Sequence, residues 1–381
     1  MSNTARYIVT MEREPNMPDL QIPHSAERLT SQWLTEALAS TGVITSSTVT
    51  SFNSERLGLG QGFVGQIVRL GLTYDSGEDG APRSIIAKFP STDPAIRSVL
   101  NELRLFEREV RFYKEVAPLI ELSTPRCYYG ATDGEAGDHV LLLEDLAPAR
   151  VGDNVAGCSD EDAELVIREI AKFHAAFWES PRLTGLDWIS SFDHTAELMQ
   201  GLYRQQLEPF LAKVQDVLPS TLLEIAQRFS GNVAAIMIQL SGSPRTINHG
   251  DYRLDNMIFG TPEKGPLLTV IDWQVSMIGP GVADVAYFVA FCIDPERRRA
   301  TESGLLRTYY SVLVECGVSG YDFDDCMRDY RVSMLYHLTR VVVAAGLLDF
   351  SDERGQRLVR AMLERLDSAF TDHNLIELMP G

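Results

Sequence analysis

The sequence predicts an α+β chain of two lobes: a five-stranded antiparallel sheet with one long helix, followed by a mainly helical lobe. Three observations predict it. The chain has 381 residues, more than the roughly 250–300 that one hydrophobic core sustains. Up to residue 145, short β-branched runs and turn residues surround one long amphipathic stretch. After Glu144-Asp145 the apolar spacing becomes helical, with a single β-type interruption between Thr246 and Trp273. The expected organisation is an N-terminal arm over 1–24, a first lobe over 25–145 and a second over 146–381.

Within the first lobe, Leu29, Trp33, Leu34 and Leu38 recur at helical spacing and predict a helix over Ser25–Ala39. Thr48, Val49 and Thr50 open a strand that runs to Arg56, and Phe63–Tyr74 is its hairpin partner. Between them lies Gly58-Leu59-Gly60-Gln61-Gly62. Ser84–Phe89 makes a third strand. Asp93 as N-cap and Pro94 at the first helical position start the long helix, whose stripe is Ile96, Val99, Leu100, Leu103, Phe106, Val110 and Tyr113; Pro118 stops it. Strands at Arg126–Gly130 and His139–Leu143 complete the sheet. In the second lobe, Ser159 caps a helix bearing Ala163, Val166, Ile170, Phe173, His174 and Phe177 on one face. Further helices are expected at 195–215, 219–240, 283–292, 302–316, 323–348 and 353–370.

Composition narrows the partners. Lys plus Arg total 34 against 53 Asp plus Glu, a net charge of -19. Such a surface repels nucleic acid and anionic membrane, while a few local cations and a metal still suffice for a nucleotide. Five cysteines, Cys127, Cys158, Cys292, Cys316 and Cys326, show no zinc or redox spacing and read as reduced thiols. The first twenty residues carry no apolar signal core, and Val341–Leu348 is flanked by Arg340 and Asp349. A cytoplasmic protein, monomeric or homodimeric, is expected.

The densest chemistry lies in Ile247-Asn248-His249-Gly250-Asp251-Tyr252-Arg253-Leu254-Asp255-Asn256, followed sixteen residues after Asn256 by Asp272. Met257–Phe259 and Leu267–Ile271 are apolar runs joined by turn residues around Lys264. A hairpin folded there brings Asn256 and Asp272 together at its open end, a pair of hard oxygen ligands suited to Mg2+. Asp251, just upstream, sits where a carboxylate accepts or orients a hydroxyl proton. Singly these are ordinary turn residues; as a set they outweigh that reading. In the first lobe, Gly58, Gly60, Gly62 and Gly65 suit a loop whose amides close over phosphates. No Gly-x-x-x-x-Gly-Lys-Ser/Thr loop is present, and the turn leads into a strand, against a dinucleotide site. Lys88 interrupts the apolar run Ile85-Ile86-Ala87-Lys88-Phe89 and needs an anionic partner. Glu109, on the inward stripe of the following helix, is the first candidate; Glu102, two turns earlier, competes.

The order glycine loop, strand lysine, helix glutamate, His-Gly-Asp, Asn and Ile-Asp resembles the protein-kinase-like fold. Within it the chain is similar to the aminoglycoside phosphotransferase and choline kinase group. FEREVRFYKEVAP, LLLEDL, IAKFHAAFW and HGDYRLDNMIF resemble its ecdysteroid-kinase-like branch, over about residues 50–350. The resemblance implies ATP and Mg2+ as cofactors, Asp251 as catalytic aspartate, Asn256 and Asp272 as metal ligands, and Lys88 on the phosphates. It also implies that Glu144, Asp145 and Leu146 form the adenine-binding hinge, with Asp284 bracing the catalytic loop. Two departures bear on substrate. Trp273-Gln274 replaces Phe-Gly after the metal aspartate, and ten residues separate Trp273 from Asp284, where a peptide-binding segment needs roughly twice that.

The expected activity is phosphoryl transfer to a hydroxyl of a small molecule. Val332, Leu335, Tyr336, Leu338, Val341, Val342 and Leu347, with Phe177, Trp178 and Trp188, read mostly as core, and where they also line a pocket they favour an apolar alcohol or hydroxy acid. Asp322, Asp324, Asp325 and Asp329 would suit a cationic aminoglycoside, although acids at a helix start need no ligand to explain them. A nucleotide-binding pseudokinase acting as an interaction module is the alternative outside catalysis.

Overall fold

The computed structural model describes residues 20–57, 65–133, 137–260, 265–347 and 350–379. A first helix, α1 (Ser31–Ser40), is capped by the Thr30 hydroxyl, which accepts from Trp33 N–H at 3.0 Å. It starts later than expected because Ser25–Leu29 holds a short 3-10 turn. Five strands follow: β1 (Val49–Arg56), β2 (Gly65–Tyr74), β3 (Ser84–Pro90), β4 (Cys127–Asp133) and β5 (Asp138–Glu144). They form one antiparallel sheet in the order β1-β2-β3-β5-β4. Its alternation is the expected one: in β3, Ile85, Ala87 and Phe89 are buried with Leu70, Leu72, Val140 and Leu142 on the α1 side. Lys88 therefore points to the opposite face.

The long helix between β3 and β4 is interrupted. It comprises α2 (Pro94–Glu102) and α3 (Leu105–Arg111), followed by a π-helical turn over Phe112–Val116. At the break Arg104 is left-handed, with φ of 53°, and its guanidinium grips Glu107 through two bonds of 2.8 and 2.7 Å. The break re-aims the apolar stripe. Leu100, Leu105 and Phe106 form a separate cluster with Val275 of the second lobe, while Val110, Phe112 and Tyr113 join the main core.

The second lobe contains β6 (Arg150–Val151), α4 (Asp160–Phe177), α5 (Phe192–Val214), α6 (Ser220–Phe229), α7 (Val233–Leu240), β7 (Thr246–Asn248), β8 (Met257–Phe259), β9 (Leu268–Val270), β10 (Met277–Gly279), α8 (Val282–Cys292), α9 (Pro295–Glu315), α10 (Phe323–Leu347) and α11 (Glu353–Asp372). The expected 219–240 helix is two helices, α6 and α7, separated at Ser230–Asn232. Helix α9 starts seven residues early, because Asp294-Pro295 is a helix start and Arg298 is buried against Glu302 at 2.8 Å. All eleven residues of α8 are buried, so it is the axis about which α4, α9, α10 and α11 pack. Among the described residues no helix is long and apolar enough to cross a membrane, and all five cysteines are free thiols.

Candidate active site

The β8–β9 hairpin pairs Met257 with Val270 and Phe259 with Leu268, so its open end carries Asn256 and Asp272. Ile271 N–H donates to the Asn256 carbonyl at 3.0 Å and closes that end. The tip around Lys264 lies outside the described residues. Beside the hairpin, β7 pairs with β10, and the chain leaves β7 directly into His249-Gly250-Asp251. Gly250 is required here: its φ is 82°, and a Cβ would lie 2.3 Å from the Val275 carbonyl oxygen.

Asp284, at the start of α8, holds this loop. Its two oxygens accept the His249 and Gly250 backbone N–H at 2.7 and 2.8 Å, and His174 Nε2 lies 3.2 Å away. Burial raises the Asp284 carboxyl, but the His174 and Gly250 bonds reverse the effect and leave it lowered. His249 Nε2 faces the Ile271 carbonyl at 2.9 Å, while Asp251 N–H donates to Nδ1 at 3.1 Å. The proton thus sits on Nε2, and burial keeps the ring neutral.

Asp251 is fixed by its neighbours. Its Oδ2 accepts from Arg253 Nε at 3.1 Å and from Asn256 Nδ2 at 3.0 Å. Burial alone would raise its carboxyl; Arg253 and Arg340 outweigh this and bring it down to about 2. Asn256 spends its amide nitrogen on Asp251, which leaves its oxygen for a cation. Asp272 has a left-handed φ of 68°, a costly conformation for a non-glycine residue. Its Oδ1 is buried and accepts no hydrogen bond, with Lys88 Nζ 3.5 Å away. An orphaned carboxylate oxygen beside an amide oxygen fits a hard divalent cation. Trp273 next to it stacks on Phe112 at 3.9 Å between centroids and fills the core, so the aspartate is clamped from behind.

Lys88 Nζ donates to Glu109 Oε1 at 2.6 Å, so Glu109 and not Glu102 is its partner. Burial pulls the ammonium down, but Glu109 and Asp272 more than offset this and leave it raised and charged. At the rim of the sheet, Asp145 receives Arg69 at 2.8 Å and Ser84 at 2.5 Å, while Glu144 accepts Arg126 N–H at 3.1 Å. Glu144 N–H donates to the Arg126 carbonyl at 2.9 Å and the Leu146 carbonyl accepts the Ala149 N–H at 3.0 Å. Gly58, Gly60 and Gly62 lie outside the described residues.

A cavity of about 350 Å³ opens between the lobes, and Lys88, Glu109, Asp251, Arg253 and Asp272 all line it. The rest of its wall is mostly apolar, with Leu100, Leu103 and Phe106 from the broken helix, Val341 and Leu347 from α10, and Met362 from α11. Of the aromatic and aliphatic residues expected to form an apolar pocket, Tyr336, Val341 and Leu347 line it. Phe177, Trp188, Leu335 and Leu338 instead belong to the core, and the Trp188 indole N–H is spent on Glu115 at 2.9 Å. The acidic stretch is internally satisfied: Asp322 accepts the Asp325 N–H at 2.8 Å, Arg328 pairs with Asp325 at 2.6 Å, and Asp329 is buried beside Tyr321. Sequence reasoning missed Arg108 and Arg340, two arginines on the cavity wall. The signal was there, since each interrupts an apolar stripe as Lys88 does.

The ecdysteroid kinase-like family model matches residues 59–318. A choline kinase from Cryptosporidium parvum superposes with a TM-score of 0.53 at 13% identity, covering 86% of this chain and 92% of that one. A Plasmodium vivax ethanolamine kinase gives a TM-score of 0.52 at 9% identity, covering 87% of each chain. The GDP and kanamycin complex of APH(2")-IIIa gives 0.50 at 14%, covering 87% of this chain and 97% of that one. At these identities the likeness is one of fold. Among curated proteins, Mus musculus acyl-CoA dehydrogenase family member 10 is 57% identical over 42 residues, which are 11% of this chain and 4% of that protein. Homo sapiens acyl-CoA dehydrogenase family member 11 is 43% identical over 47 residues, 12% of this chain and 6% of that protein. The chain thus matches only a small fraction of the length of these relatives.

Proposed function

Because this chain belongs to the ecdysteroid kinase-like family, we propose that it transfers the γ-phosphoryl group of ATP to the hydroxyl of a small, largely apolar acceptor, an alcohol or hydroxy acid. One observation carries the reading: the Asp251 carboxylate and the Lys88–Asp272 pair face the same cavity, whose remaining wall is mostly apolar. Asn256 and Asp272 would hold Mg2+, which neutralises phosphate charge when bound. Lys88, aimed by Glu109, steadies the transferred phosphates. Asp251 receives the acceptor's hydroxyl as a hydrogen-bond donor and orients its oxygen toward the γ-phosphorus. As the new O–P bond forms, the bond from the γ-phosphorus to the bridging oxygen breaks, ADP departs, and the hydroxyl proton passes to Asp251. A carboxylate held at about 2 is a weak base, so that proton moves late, as a loose transition state allows.

An incubation of the protein with Mg-ATP and a metabolite extract, read by mass for new phosphorylated species, tests this. Asp251→Asn is expected to lower turnover by about two to four orders of magnitude. Undiminished turnover in that variant would remove Asp251 from the chemistry. The satisfied acidic stretch over 322–329 and the arginines on the cavity wall weigh against a polycationic antibiotic as acceptor.

A further inference from the structure

Two of the cavity's cations take no direct part in the transfer proposed above, Arg340 acting there only through its charge near Asp251. Arg108, on α3, is 6% exposed, and its terminal nitrogen reaches only neutral groups, the Leu103 carbonyl at 3.1 Å and the Ser190 hydroxyl at 3.3 Å. Arg340, on α10, lies with its guanidinium 5.7 Å from the centre of the Tyr287 ring. The Nε of each is buried without a hydrogen-bond partner, and neither is ion-paired with a carboxylate among the described residues. They come from opposite lobes and line the same cavity, and the Arg340 charge adds to burial in lowering the Arg108 guanidinium. Bringing two like charges together in an apolar wall is unfavourable unless an anion joins them.

We propose that Arg108 and Arg340 form an anion subsite that receives a carboxylate of the acceptor. This rests on the phosphotransferase reading and narrows it from alcohol or hydroxy acid to hydroxy acid. The guanidinium fork suits a carboxylate through paired N–H bonds. Asp251 and Arg340 line the same cavity, so one acceptor can present its hydroxyl to the first and its carboxylate to the second. The alkyl tail then runs along Leu103, Val341 and Met362. The subsite joins the two lobes, so an acid seated in it bridges α3 and α10.

The test uses the full chain and a series of straight-chain acids of graded length bearing a hydroxyl at successive positions. Each acid is paired with its primary amide, and with the diol in which the carboxyl is reduced. Calorimetric binding without nucleotide reads the subsite, and kcat/KM with Mg-ATP reads the transfer. The acid is expected to bind better than amide or diol. Arg340→Met and Arg108→Gln should each weaken acid binding about 10- to 100-fold, as lost charge-assisted bonds do, with amide and diol changed under about threefold. Arg340→Lys should recover part of the preference. An acid-to-amide ratio left intact in both neutral variants overturns the subsite. So does a rise in the KM for ATP with that ratio unchanged, which would assign the arginines to the nucleotide phosphates. Arginine-dependent binding of the acid without any phosphoryl transfer supports the subsite and overturns the phosphotransferase reading instead.

Discussion

Replacing Asp284 with asparagine probes the device that sets the loop carrying Asp251. The wild-type carboxylate accepts two backbone N–H groups at 2.7 and 2.8 Å and lies 3.2 Å from His174 Nε2, all in a fully buried setting. Each hydrogen bond to a charged acceptor contributes about 1.5–3 kcal/mol, and a neutral one about 1. Asparagine keeps one oxygen, so one bond falls to the neutral value and the other N–H faces an amide NH2. An unsatisfied buried donor costs a further 1–3 kcal/mol or so. The sum is a loss of about 3–8 kcal/mol, a large part of an ordinary folding free energy of about 5–15 kcal/mol. Urea denaturation at low temperature, followed by fluorescence, measures it as a fall in midpoint at constant m-value. The pH dependence has a definite sign. The native carboxyl is lowered below its unfolded value, so its stabilisation is complete above the unfolded value of about 3.9 and fades as pH falls below that toward the native value. The gap between wild type and variant should therefore be constant from pH 8 to about 5 and narrow below about 4. A loss under about 1 kcal/mol, or a gap that widens in acid, would refute the bracing role.

Gly250→Ala puts a Cβ 2.3 Å from the Val275 carbonyl at a φ of 82°, so the loop must shift by an ångström or so. A displacement of that size beside Asp251, the proposed catalytic group, is expected to lower turnover about 100-fold, and turnover close to wild type would show that the loop's placement is not limiting. The pH profile of kcat/KM should be flat between pH 6 and 8: burial keeps His249 neutral, His337 is brought down to about 3, and Asp251 stays ionised above about 2. An inflection near the ordinary histidine value that disappears in His249→Asn would contradict the neutral, Nε2-protonated ring.

The site's geometry was legible in the sequence where a single local rule determined it. A hairpin with fixed pairing sets Asn256 opposite Asp272, because register follows from two apolar runs and a turn. A lysine inside an apolar strand demands a partner, and Glu109 supplied it. Choosing Glu109 over Glu102 from sequence depended on an unbroken stripe. The left-handed Arg104 between them shows how fragile that inference was, since no proline or glycine marks the break. The break comes from tertiary contact, Leu100 and Phe106 docking against Val275, which local periodicity does not register. The start of α9 was missed for a related reason. Arg297-Arg298-Arg299 reads as exposed, yet Arg298 is 1% exposed and paired with Glu302 and Asp372 from another helix. The acidic stretch over 322–329 and Trp188 show the opposite case, where the plainer sequence reading holds: residues with the right chemistry for a ligand are satisfied by their neighbours.

The charge balance gives the unpaired arginines their weight. With 53 acidic against 34 basic residues, this chain has carboxylates available for nearly any cation it buries. It uses them: Arg253 lies between Asp251 and Asp255 at 3.1 and 3.2 Å, Arg298 reaches Glu302 at 2.8 Å, and Arg365 reaches Asp294 at 2.8 Å. Lys88 has Glu109. Against that background, two buried guanidiniums on the wall of one cavity with no carboxylate at ion-pair distance among the described residues, Arg340 feeling Asp251 only at longer range, are not what composition alone would produce. Pairing either of them internally would need only an aspartate or glutamate in place of Leu103 or Ala344, both of which line the same wall. The wall there is apolar instead, and in a low-dielectric surround an uncompensated cation acts on an incoming anion over a longer range than it would in water. The cavity is therefore positive where the chain as a whole is strongly negative, and the charge that completes it has to arrive with a ligand.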